Sequence, residues 1–503
     1  MIGSPANQGT KDASNDLPDD IILIAWKDGR DAENPYNWSL RQKWTLTTLA
    51  TLATFLSMMN GTIITVAHEE INAQFSISDA VFPHSYWPVT SWAVGGACSA
   101  LLILPLMEDF GVRPLFLGTY AVFICFVIPT AVAQNFSTLV VTRFFCGACV
   151  AVLANTSATV IGNTWASERE RSIPVSMYIV AYLAGSSIGP VIGAPVFDHL
   201  GWRWIGYMQL IWYAAFFPVF FFLFKESRGA VILAQRAKSF RKFGKSAYTK
   251  HELEHHGTGK SMLRQVARSA ARPLILFLTE PVLFVSVLWS GFTVGTLFLF
   301  TQSVEQVFAS LYDWNATQAG YVQASIVIGE CIGWVVNLLS AKLYFASARR
   351  NTEIPGTPIP ETRLYLAVVG GIVGMSGGMF TYAWTSYPSV PWIAPAVGLA
   401  MVGAGSMLVV TGVSDYLTDA YSMYAGSAFG AVAAIENVFS AFLPLATQSL
   451  YGTLGLQWAS TLLALVCFVL SLAPILMFVW GREIRSRSPY IREAMKERQA
   501  EMA

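Results

Sequence analysis

The sequence predicts an all-α membrane protein, with twelve transmembrane helices in two six-helix bundles. Three observations lead there. Hydrophobic residues make up 54% of the 503 and charged residues only 13%, against about 25% charged in soluble domains, and mean hydropathy is strongly positive. Twelve apolar segments each approach the roughly 20 residues that a bilayer core requires. Thirty of the 32 Lys and Arg fall in alternate connecting segments, the asymmetry that marks cytoplasmic loops. The net charge of +1 conceals this gradient and gives no ground for a nucleic-acid partner.

The elements follow in order. Residues 1–44 are polar and acidic (Asp12, Asp16, Asp19, Asp20) and lack the apolar core and cleavage site of a signal peptide. They read as a cytoplasmic tail without fixed structure up to Trp44, except around Asn34–Trp38. The segments 45–67, 85–107, 114–133, 138–161, 173–197 and 204–224 form a first bundle over 45–224. The polar stretch 225–273 carries twelve Lys and Arg and divides the chain six and six, the layout of transporters built from two repeated bundles. Inside it, Val231–Phe243 alternates apolar and basic residues at helical spacing, as expected of a helix on an anionic inner leaflet. A second bundle, 274–480, comprises 274–302, 319–341, 364–386, 391–413, 420–446 and 458–480, and 481–503 is a second cytoplasmic tail. An even number of spans puts both termini in the cytoplasm. All six cysteines fall in apolar segments and read as buried structural thiols. Cys146 and Cys149 have no histidine nearby, and His251, His255 and His256 lie in a charged polar loop with no thiol beside them, so no metal or cofactor is expected. Asn315-Ala316-Thr317, in an outer loop, is the expected glycosylation acceptor.

Ionisable and small residues inside the spans carry the functional reading. Gly185, Gly189 and Gly193 recur every four residues, so one helix face is bare and admits a second helix closely. Pro190 removes one backbone hydrogen bond and builds in a bend. Arg143, at a cost of roughly 2.5–3.5 kcal/mol on insertion scales, must face a cavity or a partner. It either handles protons or braces neighbouring helices through their carbonyls. Glu330 and Glu436 are embedded carboxylates. Low dielectric disfavours the ionised form of such a group, which suits it to take up and release a proton; the alternative is a permanently protonated or helix-bridging glutamate. Gly329 and Gly333 flank Glu330 with the same spacing, and their face is expected to pack on the Gly185–Gly193 face. Asn60, Trp92, Asn155, Tyr178, Tyr182 and Trp289 offer a substrate lining, although aromatic side chains serve packing equally.

The run Gly185-x-x-x-Gly189-Pro190-x-x-Gly193 resembles the fifth-helix antiporter motif of the major facilitator superfamily, with Ala194 in place of its final glycine. Arg143-x-x-x-Gly147 resembles the fourth-helix motif that the family links to proton coupling. Further matches are Pro35–Ser39, Gly201–Trp204, Glu226–Gly229, Glu280-Pro281 and Tyr416–Tyr421. Of the cytoplasmic gating motif between the second and third spans, Glu108, Gly111 and Arg113 are present, while Leu104, Asp109 and Val112 replace a glycine and two basic residues. From about Asn34 to Tyr490 the chain resembles the fungal-type twelve-helix drug:proton antiporters, in the subgroup of polyamine, cycloheximide and secondary-metabolite exporters. In that subgroup an arginine commonly stands where this chain has Glu436. The resemblance implies the major facilitator fold and proton-coupled export of a drug, toxin or secondary metabolite by alternating access. It implies a monomer in the plasma membrane, driven by the proton gradient without a cofactor, with proton coupling at Arg143, Glu330 and Glu436. Rival readings are an importer of a nutrient or organic acid on the same fold, a transporter-like receptor signalling through the basic loop, and a membrane-embedded enzyme. No membrane-depth metal cluster and no acyl-transfer pair supports the last.

Overall fold

Backbone groups in lipid must find their partners within the chain, and here helices supply nearly all of them. The computed structural model describes residues 22–27, 31–79, 83–103, 107, 110–243, 246–249, 252–253, 262–351, 356–421 and 424–493. In the first half, α1 (Leu40–Thr62) opens on a capping box in which Ser39 and Gln42 satisfy each other's backbone N–H. It runs through a short turn into α2 (His68–Phe75). Then come α3 (Trp87–Leu102), α4 (Val112–Ala131), α5 (Phe136–Thr164), α6 (Glu168–Leu200) and α7 (Trp202–Leu223). The connecting segment holds α8 (Gly229–Lys242) and α9 (Met262–Thr279). The second half has α10 (Pro281–Tyr312), α11 (Ala316–Val322), α12 (Ala324–Ser347), α13 (Leu364–Val369), α14 (Gly377–Thr385), α15 (Ile393–Tyr421), α16 (Ala425–Phe442), α17 (Thr447–Leu454) and α18 (Leu456–Arg487). A π-helical stretch, Gly370–Ser376, joins α13 to α14 in one span.

Among the described residues eleven helices are long and apolar enough to cross a membrane. The twelfth, α3, has 16 described residues and fills the second expected segment. Within the halves α1 packs on α6, α3 on α5, α12 on α15 and α10 on α16; α3–α16 and α6–α12 join one half to the other.

Three expectations need correction. First, the bare face of α6 does not meet the Gly329–Gly333 face of α12. A Cβ at Gly185 would lie 2.7 Å from the Phe55 carbonyl oxygen, one at Gly193 would lie 2.5 Å from that of Ile63, and one at Gly189 would collide with Thr62. The face therefore packs on α1 in its own half, while Gly329 and Gly333 pack on Ala400 and Ala404 of α15. Small residues mark the closest backbone approaches, and these lie within each half rather than between the two.

Second, the tail is structured over residues 22–27 and 31–39. β1 (Ile22–Leu23) pairs in parallel with β2 (Ala247–Tyr248) of the connecting segment. Arg236 on α8 holds Asp31 at 2.8 Å and Glu33 at 2.6 Å, and its guanidinium lies over Trp26. The Tyr36 hydroxyl reaches the Gly162 carbonyl on α5, and Lys43 donates to the Tyr36 carbonyl. The amphipathic helix expected at 231–243 forms, but Arg236 and the buried Ala237 face protein. The partner of the acidic tail lies about 200 residues away, so composition alone cannot reveal it.

Third, the apolar segment 274–302 belongs to two helices. Glu280 is extended (φ −106°, ψ 102°) and Pro281 opens α10, because a residue before proline avoids the helical region and proline suits a first helical position. The cysteines also divide: Cys146, Cys149 and Cys467 are buried, whereas Cys98, Cys125 and Cys331 lie on the helix surface.

Candidate functional site

Arg143 is 1% exposed on α5. Its guanidinium donates to the carbonyls of Asn60 (2.6 Å), Gly61 (2.6 Å) and Pro88 (3.1 Å) and to Asn60 Oδ1 (3.1 Å). Asn60 and Gly61 lie in the last turn of α1, whose carbonyls lack intrahelical partners and carry the negative end of the helix dipole. Asn60 Oδ1 also accepts from Trp92 Nε1 (3.1 Å), and its amide donates to Gln209 Oε1 (2.7 Å). Gln209 also accepts from the Tyr213 hydroxyl at 3.1 Å. This knot ties α1, α3, α5 and α7 together. Its geometry is that of the bracing arginine, the second of the two readings open for this residue. Gln209 and Tyr213 escaped the sequence reading, although Gln209 is the lone amide between Trp202 and Leu223.

The two carboxylates sit elsewhere, at the seam between the halves. Glu330 on α12 is fully buried; Ser187 Oγ of α6 donates to its Oε1 at 2.7 Å, while Oε2 has no hydrogen-bond partner among the described residues. Glu436 on α16 is 5% exposed and accepts from Ser290 Oγ (2.5 Å) and from the Tyr182 hydroxyl of α6 (3.3 Å). The Tyr178 ring lies 6.3 Å from that of Tyr182. Each acid thus belongs to the second half and takes a hydroxyl from the same helix of the first. Ser187 was also missed, though it lies in the glycine run; a serine on a helix so rich in small residues gives no signal until its partner is known.

The remaining expected lining residues scatter. Trp92 stacks on Phe298 of the second half at 6.0 Å. Asn155, half-buried, donates to the Ala151 carbonyl on its own helix. Trp289 donates to Ser471 of α18 and packs against Gly371 inside the second half.

At the end of the bundle nearest the tail, Glu108 lies outside the described residues. Gly111 has φ +92°, a conformation that favours glycine, and a Cβ there would lie 2.7 Å from Glu226 Oε2. Glu226 caps α4 by accepting from the backbone N–H of Val112 (3.1 Å) and Arg113 (3.0 Å). It is the partner that gives the Gly111–Arg113 turn its shape, and Arg113 itself donates to the Phe221 carbonyl. In the second half Arg363 binds Asp415 and Asp419, each at 3.1 Å, with its guanidinium 3.5 Å over Tyr344. The Tyr344 hydroxyl reaches Glu168 at the start of α6 (3.3 Å), so this cluster also crosses between the halves. Arg485 pairs with Glu361 beside it. At the opposite end, His68, Glu69 and Glu305 offer ligand atoms within 4.8 Å of one another, a grouping the sequence did not show. Asn315 is exposed there, its Oδ1 capping α11.

Comparison with known proteins agrees with this architecture. The profile of the Major Facilitator Superfamily matches residues 50–442. The transporter paaT of Penicillium rubens is 29% identical over 92% of this chain and 82% of its own length. The efflux pump atB of Aspergillus terreus is 32% identical over 78% of this chain and 82% of its own. The multidrug transporter mdrA of Aspergillus fumigatus is 30% identical over 94% and 76%. Among solved structures, the proton:xylose symporter XylE superposes with a TM-score of 0.63 at 16% identity, covering 88% of this chain and 96% of that one, a likeness of fold. Two helical halves joined by a polar segment, and a family profile that runs from the first into the second, place this chain in the Major Facilitator Superfamily of membrane transporters.

Proposed function

We propose that the protein is a proton-coupled exporter of a small organic compound, working by alternating access in the plasma membrane with both termini cytoplasmic. One observation carries this reading: Glu330 and Glu436 each accept a hydroxyl across the seam, from Ser187 and Tyr182 of α6. An ionised carboxylate is costly to bury and is cheaper in water. When the halves part, each acid loses its donor and meets solvent; when they close, the protonated form carries the smaller desolvation cost. Proton occupancy and closure are thereby linked, which is what coupling requires. The aromatic surfaces of Tyr178, Tyr182, Trp92 and Phe298 suit an apolar or planar cargo. The efflux and multidrug names of the relatives support the outward direction. The halves 45–224 and 274–480 would move as units, with the exposed Lys238, Lys242 and Phe243 of α8 and its C-cap facing anionic lipid and a glycan on Asn315 outside.

The test is flux of a panel of fungal toxins and drugs in vesicles carrying the purified protein, with an imposed pH gradient. Gradient-dependent accumulation is the expected result. Equal flux after the gradient is collapsed would overturn the coupling.

A further inference from the structure

We infer that His68, Glu69 and Glu305 form a transition-metal site, of the kind zinc fills, that staples the two halves at the end remote from the N-terminal tail. His68 and Glu69 open α2 in the first half, and Glu305 projects from α10 in the second. One ligand atom from each lies within 4.8 Å of the others, and His68 Nδ1 is 3.6 Å from Glu305 Oε2. The imidazole is oriented: Nδ1 lies 3.1 Å from the Thr65 carbonyl, and the ring packs against Tyr86 at 5.8 Å.

A second observation points to a ligand. Tyr86 is 2% exposed, yet its hydroxyl has no hydrogen-bond partner among the described residues. It lies within electrostatic reach of Glu305 and lines, with His68, Thr65 and Ser85, a cavity of about 10 Å³. That volume approaches what one water needs, so a water completing the metal's shell would satisfy the orphaned hydroxyl.

The donor set fits the class. An imidazole with two carboxylates, and a fourth position left to water, suits zinc and its neighbours, whereas calcium and magnesium prefer all-oxygen shells. Zinc–ligand distances of about 2.0–2.2 Å put ligand atoms roughly 3.3 Å apart, so the group closes by up to about 1.5 Å on binding, within the reach of two glutamate side chains. The nearby Asp79 is already engaged by Asn72 and by the backbone and hydroxyl of Ser85.

The binding site stands independently of the transport reading, whereas its action as a lock rests on alternating access. Purified full-length protein is titrated with zinc chloride and followed by calorimetry and thermal unfolding. One zinc per chain is expected, with a rise in Tm. His68→Ala and the near-isosteric Glu305→Gln should each weaken binding at least about tenfold, while His199→Ala, an exposed histidine at the end of α6, should not. Magnesium at the same concentration should give no shift. An unshifted Tm up to about 1 mM zinc, or variants that bind as tightly as the parent, would overturn the site. In vesicles, zinc on the α2 side should suppress flux, and His68→Ala should restore it. Binding without suppression would overturn the lock alone. Flux that ignores the proton gradient would refute the coupling and leave the binding result intact.

Discussion

Arg143 illustrates how a buried cation is settled without an acid. Its four hydrogen bonds end on oxygens of α1 and α3, and a planar fork serves several such acceptors where an ammonium cannot. Arg143→Lys should therefore lower stability by about 1–3 kcal/mol, read as a fall in Tm in detergent; a Tm equal to that of the parent would show that the knot does not depend on fork geometry. The glutamates behave differently, because their donors sit across a seam. Glu436→Gln, which keeps the shape but not the exchangeable proton, should flatten the pH dependence of flux while leaving gradient-free exchange. If transport is unaltered across pH, Glu436 is outside the mechanism. These residues were readable in the sequence as charges at depth. Ser187, which bonds Glu330, and Gln209, which bonds the Asn60 beside Arg143, were not, since a hydroxyl or amide in a span is cheap enough to need no explanation until the fold supplies one.

Helix α6 carries two functions on two faces. Its glycines seat α1, and its Tyr182 and Ser187 meet the second half. Gly189→Val, which drives a side chain into Thr62, should act as overpacking and cost about 1–3 kcal/mol, visible as lost thermal stability before any proton leak. A variant of parental stability that leaks protons would instead show that this face also seals a proton path. Spacing alone identified the bare face but not what covers it, because periodicity names a surface and never its neighbour. The same limit hid the end of α9: apolar character runs through Glu280, and only the Glu-Pro pair marks the break.

Composition and charge bias made the bilayer class, the number of spans and the division into halves legible, because lipid imposes them on every residue. Contacts between distant stretches were not legible, and the clearest case is the strap formed by residues 22–27 and 31–38. Arg236 beside Asp31 holds that carboxyl well below the usual range. The attachment is therefore complete above the ordinary carboxylate range of about 3.9 and weakens only as pH falls through the depressed value. It should hold at any physiological pH. Arg236→Glu should expose the chain at β1 and β2 to limited proteolysis, and adding Asp31→Lys with Glu33→Lys should restore protection. Equal cleavage of the parent and Arg236→Glu would show the strap to be dispensable.

Fastening α8 to the first half also decides which body carries the connecting segment. Arg241 of α8 holds Glu252, and β2 is paired with β1 of the tail. In a transporter that rocks, these stretches would ride with the first half, and releasing them at the strap would alter how the basic face of α8 meets its surroundings without touching a single group that meets cargo or proton.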